Sequence, residues 1–195
     1  MTHLTKEEYK SSEKKQTIHR SINTIGIFLV VLMGFLYVKD LITPLYEEMA
    51  GITEQRVERQ EISQILLDEG ARLCQYKDSL GFATIGVGHL VVEKDMPKCI
   101  TPHKVVELLI KDYRYAKANV EKRYPWAEGE VKLILINMTF QLGENRLAKF
   151  TNTLKHLEEK DYINAAVELM DSNLYKQTPK RVERHVARIL ALSEL

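Results

Sequence analysis

The sequence predicts an α+β fold: a small lobe of one helix and a β-hairpin, a larger all-α lobe, and one transmembrane helix before them. Three observations predict this order. Residues 60 to about 100 combine a helical apolar spacing with short alternating segments and glycine-rich turns. Most of the remaining chain shows the 3.6-residue apolar period of amphipathic helices. Residues 21–38 carry no charge, which is typical of a membrane span.

The composition is that of a globular protein and narrows the range of functions. Hydrophobic residues make up 45% of the 195 residues and charged residues 28%, which excludes a disordered chain. The formal net charge of +1 argues against a nucleic-acid partner, because such proteins usually concentrate basic residues in one footprint. Cys74 and Cys99 give no metal-site spacing and no disulfide framework. We predict no metal site and no cofactor, and we expect a monomer.

The N-terminal segment predicts a membrane anchor. Residues 1–20 are polar and lysine-rich, and the helix predicted at 21–38 would span roughly 27 Å, about the thickness of a bilayer core. A buried core helix seldom lacks charge over this length, and no typical cleavage site follows the segment. The preferred interpretation is therefore an uncleaved signal-anchor helix that contacts the lipid bilayer. The predicted organisation is a cytoplasmic tail (1–20), the anchor (21–38), a linker (39–58) and a folded domain (59–195).

The charges on either side of this segment predict its orientation. The preceding tail carries five basic residues, Lys6, Lys10, Lys14, Lys15 and Arg20. The fifteen residues that follow the segment contain one basic residue, Lys39. The positive-inside rule places the N-terminus in the cytoplasm and sends the rest of the chain across the membrane. In a Gram-negative cell that side is the periplasm, where the cell wall lies. We therefore expect a single-pass protein of the bacterial inner membrane, and we leave open a later release into the periplasm.

The small lobe is predicted from residues 60 to about 100. The segment EISQILLDEG has helical apolar spacing and stops at Gly70. RLCQYKD alternates like a strand, DSLG has the composition of a turn, and FATIGVGHL predicts one or two short strands bent at Gly86 and Gly88. These signals together predict a helix followed by a small antiparallel sheet.

The large lobe begins at Thr101 and Pro102, the N-cap and first residue of a predicted helix. GEVKLILINMTFQLG is almost wholly apolar at its centre, so we predict a buried central helix that ends at Gly143. FTNTLKHLEEKD, DYINAAVELMDS and TPKRVERHVARILALSEL predict three more helices, the last opened by Thr178 and Pro179. A cleft between two such lobes is a usual place for a ligand.

Two carboxyl groups near the start of the domain suggest glycosidic chemistry, which needs one protonated and one ionised acid. Glu69 stands in the last turn of an apolar helix, where the helix dipole and burial disfavour its charged form, as a general acid requires. Asp78 lies in a polar turn and should stay ionised. Thr84 follows across the hairpin, where its hydroxyl is placed to hold a water. Each acid alone has an ordinary alternative, as a turn residue or a solvated one.

Three other features of this region carry less specific signals. GVG lacks the remainder of a dinucleotide or phosphate-binding loop. His89 is predicted to pair with an acid on the next helix, such as Asp112, because no second histidine lies at metal-ligand spacing. Cys74 and Cys99 both fall in the small lobe and in a predicted oxidising compartment, which favours a disulfide as much as two buried thiols.

The segment DEGARLCQYKDSLGFATIGVGHL resembles the catalytic segment of T4-type phage lysozymes, the endolysins of glycoside hydrolase family 24. Eight residues separate the two acids, and the pattern T-I-G-x-G-H follows. INMTFQLGENRLAKFTNTL (136–154) and AAVELMDSNLYKQTPKR (165–181) continue the resemblance in the same order, so that it covers roughly residues 60–190. The resemblance implies a lysozyme-like fold.

The resemblance also implies an activity. Such an enzyme is a muramidase that hydrolyses the β-1,4 bond between N-acetylmuramic acid and N-acetylglucosamine in peptidoglycan, with inversion and without a metal, for cell-wall degradation and host lysis. Glu69 would be the general acid, Asp78 would assist or orient the water, and Thr84 would complete the site. The substrate-binding positions implied by the family are Leu90, Phe140, Gln141, Thr153 and Arg181. Phe140 has ordinary core packing as its alternative, and Arg181 would lie beside the acid.

The chain departs from the family pattern in several places. The soluble member of the family lacks residues 1–58, and Cys74 is not part of the pattern. The chain is also shorter between His89 and Thr101, which predicts a smaller lip on one side of the cleft, and Glu168 stands where the family tends to have an amide.

A catalytically silent, membrane-anchored module that binds glycan is the main alternative function, and a lytic transglycosylase is a weaker one. The intact set of Glu69, Asp78 and Thr84 argues against a silent module. Asp78 argues against a transglycosylase, which usually uses one acid.

Overall fold

The computed structural model describes residues 43–44, 47–78, 81–92 and 96–194. The chain divides into two compact units, Met1–Arg56 and Val57–Leu195. No helix within the described ranges is long and apolar enough to cross a membrane. The predicted anchor at 21–38 lies outside the described residues, so it stays a prediction, as do the tail and most of the linker.

The first helix, α1, covers residues 47–69. Its part within the second unit buries Ile65 and Glu61. The helix ends where Gly70 adopts a φ of 69° and its N–H donates to the carbonyl of Leu66 at 3.0 Å. A glycine in this left-handed conformation closes a helix without the strain that a side chain would add. The predicted stop at Gly70 is confirmed, and it leaves Glu69 as the last helical residue.

A three-stranded antiparallel sheet follows, in the order β1 (Arg72–Lys77), β2 (Ala83–Gly86) and β3 (His89–Leu90). Thr84 lies opposite Tyr76 on one side and Leu90 on the other. Gly86 and Gly88 have φ values of 66° and 78°, which lets the chain reverse between β2 and β3. The prediction of a small antiparallel sheet bent at these glycines is confirmed.

The free edge of β1 is covered by residues 98–100, an extended segment that the sequence did not reveal. Gln75 N–H donates to Lys98 O at 2.8 Å, and Ile100 N–H donates to Leu73 O at 2.7 Å. Cys74 and Cys99 face each other across this pairing and form a disulfide. Of the two alternatives for these cysteines, the disulfide is the one observed.

The large lobe is helical, as predicted. Thr101 caps α2, since its Oγ1 accepts from Lys104 N–H at 3.2 Å. The sequence did not predict the two short helices, α4 and α7, because four or five residues are too few to show a helical period. The lobe comprises α2 (Pro102–Arg123), α3 (Gly129–Leu142), α4 (Glu144–Leu147), α5 (Thr151–Glu158), α6 (Tyr162–Met170), α7 (Asn173–Gln177), α8 (Pro179–Ala191) and a 3-10 turn (Leu192–Glu194).

Helix α3 forms the centre of this lobe, as its apolar sequence predicted. Ile134, Leu135 and Met138 are fully buried, and α3 packs against α2, α4 and α8. The same helix carries two polar side chains, Asn137 and Thr139, into the interior. The second unit is therefore a helix-rich α+β domain, and its small sheet is formed by residues near the N-terminal end of that unit. The α+β architecture predicted for the folded domain is confirmed, and the transmembrane helix before it stays a prediction.

Candidate active site

Glu69 forms an ion pair with Arg181 across the fold. The Nη1 of Arg181, in the first turn of α8, donates to Oε1 of Glu69 at 2.6 Å. The Arg181 side chain is buried, whereas 30% of the Glu69 side chain is exposed. The predicted proximity of these two residues is thus observed. The expected burial of Glu69 is only partial, because the helix ends at this residue and leaves part of the carboxyl group open to solvent.

Asp68 holds Arg181 from the other side, and the sequence did not point to it. Its Oδ2 lies 3.3 Å from Nε of Arg181. Its Oδ1 accepts hydrogen bonds from Gln64 Nε2, at 3.0 Å, and from Nη2 of Arg184. The available signal was the i, i+3 spacing of Arg181 and Arg184, which places both guanidiniums on one face of α8. Adjacent acids at the end of α1 therefore share one buried arginine.

Asp78 closes the hairpin between β1 and β2. Its Oδ1 accepts from Phe82 N–H at 2.8 Å, while its own N–H donates to Phe82 O at 3.0 Å. Gly81, with a φ of 87°, donates its N–H to Asp78 O at 3.0 Å. Asp78 is therefore a turn residue, which was the ordinary alternative to a catalytic role, and its Oδ1 takes part in the turn. The turn also fixes where this carboxylate points, which a catalytic role would need as well.

Thr84 is 2% exposed and lies on the strand next to Asp78. Its hydroxyl donates to Phe82 O at 3.1 Å. The backbone of Phe82 therefore links the two predicted site residues. Its N–H donates to Asp78, and its carbonyl accepts from Thr84. Because the hydroxyl proton is used in this bond, Thr84 can offer a water only its oxygen lone pairs.

His89 pairs with Asp112, as predicted. Its Nδ1 lies 2.8 Å from Oδ2 and 3.0 Å from Oδ1 of Asp112, so β3 is tied to α2. Among the residues that the structure describes, no group of histidine, cysteine, aspartate and glutamate is arranged to hold a metal ion. The role of His89 is thus to position the sheet against the helical lobe.

The predicted substrate-binding residues occupy three settings. Leu90 is 49% exposed and lies beside Thr84 in the sheet. Phe140 is half-buried and packs against the core, so ordinary packing explains at least part of its position. Gln141 donates from Nε2 to Thr178 Oγ1 at 3.3 Å, one turn before Arg181 on α8. Whether any of them contacts a sugar stays a prediction.

Thr153, the remaining predicted position, is buried and lines a cleft of about 460 Å³. Glu168, the departure from the family pattern, lines the same cleft and accepts from Asn152 Nδ2 at 3.1 Å. Neither Glu69 nor Asp78 lines this cavity. The cleft does contain carboxyl groups of its own, those of Glu168 and Asp171, but the two acids predicted to be catalytic lie outside it.

The arrangement offers two carboxyl groups in distinct settings. Glu69 is paired with a cation and partly open to solvent, whereas Asp78 is held by a backbone amide in a turn. Two such groups can divide the roles of proton donor and water-orienting base. Arg181 fixes the position of Glu69, and the Phe82 N–H fixes that of Asp78. Thr84 is bonded to the carbonyl of the same phenylalanine.

The chain is similar to a known protein family over more than half of its length. Residues 67–188 match the family described as phage lysozyme. The matched stretch is more than half of the chain and includes Glu69, Asp78, Thr84 and Arg181.

The chain is also similar in sequence to individual proteins. The chain is 33% identical over 151 residues to "Probable T4-type lysozyme 2" of Dictyostelium discoideum, which covers 62% of this chain and 87% of that protein. It is 32% identical to "Probable T4-type lysozyme 1" of the same organism, covering 63% and 88%. A further match, 30% identical over 150 residues, is the "Pre-baseplate central spike protein Gp5" of Enterobacteria phage T4, where only 26% of the longer protein is covered.

Proposed function

Because the chain belongs to the phage lysozyme family, we propose that it is a muramidase. The bond it cleaves is the β-1,4 linkage between N-acetylmuramic acid and N-acetylglucosamine in peptidoglycan. The observation that carries this proposal is the pairing of Glu69 with the buried Arg181, together with a hairpin in which the backbone of Phe82 holds both Asp78 and Thr84. A module that only binds glycan has no need of this set.

Glu69 is the general acid of the proposed reaction. Its proton passes to the glycosidic oxygen as the bond from that oxygen to C1 breaks, which leaves a carboxylate. Arg181 stabilises this carboxylate by a charge-assisted hydrogen bond, for which it is already placed at 2.6 Å. The guanidinium is itself held by Asp68, so the charge that develops on Glu69 meets a preorganised partner.

Asp78 and Thr84 act on the water in this proposal. The water attacks C1 and gives its proton to Asp78, whose Oδ1 is fixed by the Phe82 amide. Thr84 accepts a hydrogen bond from the same water, because its own proton is directed to the Phe82 carbonyl. Direct attack by water inverts the configuration at C1.

We also propose that the enzyme works from the membrane, with residues 21–38 as the anchor and the folded domain on the side of the cell wall. The charge asymmetry of the flanking residues supports this orientation. The Cys74–Cys99 disulfide supports it independently, because disulfides persist in oxidising compartments and are rare in the cytosol. Degradation of the wall and lysis of the host would be the biological outcome.

The test is muropeptide analysis after the full chain is incubated with purified peptidoglycan. We expect fragments with new reducing ends at muramic acid, and none from the Glu69→Gln variant. Anhydro-muramic ends would indicate a transglycosylase instead. Tight binding to the wall with no new ends would indicate a silent binding module.

A further inference from the structure

His185 is a buried ionisable group for which the proposed reaction has no direct use. It lies on α8, one turn after Arg181, and is 2% exposed. Neither of its ring nitrogens has a hydrogen-bond partner among the residues that the structure describes. Burial of a polar ring without partners is costly, so its position calls for an explanation.

The ring faces a cavity of about 380 Å³ bounded by α1, α3 and α8. Two further unpartnered atoms belong to residues that line it, Oδ2 of Asp68 on α1 and Oδ1 of Asn137 on α3. Oδ2 of Asp68 lies 3.3 Å from Arg181 Nε, but this contact does not have hydrogen-bond geometry. Three helices thus bring two acceptors and one imidazole to a single polar cavity.

The charged groups around the ring keep it neutral. Burial, together with Arg188, Arg181 and Arg184 on its own helix, lowers the pKa of His185 to about 3, against the opposing effect of Asp68. The cavity walls add Glu61 on α1 and Glu130 on α3, and both are occupied by Arg188. A neutral imidazole carries one N–H donor and one acceptor. It can therefore donate a hydrogen bond to an acceptor without adding a further positive charge beside the three arginines.

Asp68 connects the cavity with the candidate active site. One of its oxygens is held by Gln64 and Arg184, and the other faces Arg181. Arg181 in turn donates to Glu69. Any group that fixes the second oxygen of Asp68 therefore also fixes the guanidinium that contacts the acid.

We propose that His185 is a positioning residue for the Arg181–Glu69 pair. Its neutral ring donates toward Oδ2 of Asp68 through water, which a polar cavity of this size accommodates. Asp68 is thereby held between Arg181 and Arg184, and Arg181 is held against Glu69. Loss of the ring frees Asp68 to rotate, and the contact between Arg181 and Glu69 loosens.

The experiment compares three variants of the full chain with the parent. His185→Val removes both nitrogens, and His185→Gln keeps a neutral donor and acceptor. Ile189→Val, one turn further along α8, removes one methylene from the core and serves as the control for packing loss alone. The readout is the titration of the Glu69 carboxyl, followed by carbon NMR and assigned with Glu69→Gln. This readout needs no activity.

In His185→Val we expect the Glu69 titration midpoint to move up by roughly half a pH unit or more, because a looser arginine favours the carboxylate less. His185→Gln should recover at least half of that shift, and Ile189→Val should leave it unchanged. An unshifted midpoint in His185→Val, or the same shift in Ile189→Val, overturns the proposal. If His185→Val does not fold, His185→Asn replaces it, because its shorter amide reaches less far toward Asp68. The Glu69 midpoint of this variant should then move up from that of the parent by a smaller amount.

The activity measurement rests on the proposed function and is separable from the titration. On peptidoglycan, His185→Val should lower kcat by about tenfold with little change in KM, since the effect acts on the transition state. A parent chain that leaves peptidoglycan intact contradicts the proposed function. The Glu69 titration then still decides whether His185 positions Arg181.

Discussion

At the scale of single residues, each candidate site group is fixed by one specific contact. Arg181 defines the position of Glu69, and the Phe82 peptide defines those of Asp78 and Thr84. The sequence singled out Glu69 and Asp78 because acids before a helix stop and within a turn suggest paired carboxyl chemistry, whereas Arg181 was implied only by the family resemblance. It did not single out Asp68, because the family resemblance placed Arg181 beside Glu69 but assigned no role to the residue before it.

Replacement of Glu69 by glutamine should abolish most of the activity. The amide keeps the shape of the side chain and its contact with Arg181 but has no proton to donate, so we expect kcat to fall by about 10²-fold or more. Rates on purified peptidoglycan measure the effect. The matched control is Glu159→Gln, an exposed glutamate at the end of α5, which should be fully active. Equal rates for the two variants would rule out Glu69 as the acid.

Thr84 allows the water-holding role to be separated from packing. Thr84→Val preserves the branched shape but removes the hydroxyl, and Thr84→Ser preserves the hydroxyl but removes a methyl group. If the oxygen orients a water, the valine variant should lose about tenfold or more in kcat, the usual scale for one positioned hydrogen bond. The serine variant should stay within about threefold of the parent. The reverse order would show that Thr84 serves only to pack the hairpin.

His185 should also make the fold sensitive to acid. Its pKa is about 3 in the folded protein, against 6.5 for an ordinary histidine. Between these values the unfolded chain binds a proton that the folded chain refuses, so stability falls as pH decreases through this window and is fully present above it. The slope is about 1.4 kcal/mol per pH unit for one proton. Urea unfolding at about pH 7 and about pH 5 measures it.

The comparison that isolates this residue is His185→Gln, which cannot titrate. Its loss of stability between those two pH values should be smaller than that of the parent by about 2 kcal/mol. Other groups titrate equally in both proteins and cancel. Parallel pH profiles would show that the ring is protonated, or exposed, in the folded state.

At the scale of elements, α8 organises the second unit because its arginines recur on one face. Arg181, Arg184 and Arg188 reach acids on two other elements, namely Asp68, Glu69 and Glu61 on α1 and Glu130 on α3. The spacing of these arginines was visible in the sequence, and so was the helix that carries them. The family resemblance implied that Arg181 lies beside Glu69, but the other partners were not predicted, because ion pairs between residues 58 to 127 positions apart leave no local pattern.

The same distinction explains which elements could be predicted. The long helices and the glycine-bent sheet follow from periodicity and from residues that favour particular turns. Helices α4 and α7 are set by their surroundings, since neither is long enough to be stable alone. Residues 98–100 pair with β1 because the edge of that strand offers unpaired amides and carbonyls. Such tertiary effects override local preference.

The disulfide should be the main support of this edge. Cys74 and Cys99 are separated by 25 residues, and a bridge over a loop of that length contributes roughly 3 kcal/mol, chiefly by restricting the unfolded chain. We expect a reductant to lower the melting temperature of the parent. The double variant Cys74→Ser, Cys99→Ser should melt at the reduced temperature with or without reductant. A parent that melts identically under both conditions would mean that the bridge does not stabilise the fold.

At the scale of the whole molecule, the proposed membrane anchor would determine how far the folded domain can move from the membrane. The tether predicted from the sequence limits its reach into the wall, and release would remove that limit. Residues 27–38 include a run of large apolar side chains, and transfer of such groups from lipid to water costs several kcal/mol, roughly 1.5–3 for each fully buried side chain. Loss of the membrane potential supplies no comparable free energy for extraction, because the segment carries no charge on which the potential could act.

We therefore expect the full-length protein to stay in the membrane fraction when the host cells are treated with an uncoupler. The measurement is fractionation before and after treatment, with detection of the full chain. Val31→Lys is the informative variant, because a lysine near the centre of a membrane helix disfavours insertion by about 2.5–3.5 kcal/mol. This variant should move in part to the soluble fraction, which shows that the assay can detect release. Full-length parent in the soluble periplasm would contradict permanent anchoring, and a shortened soluble form would show that the segment is cleaved.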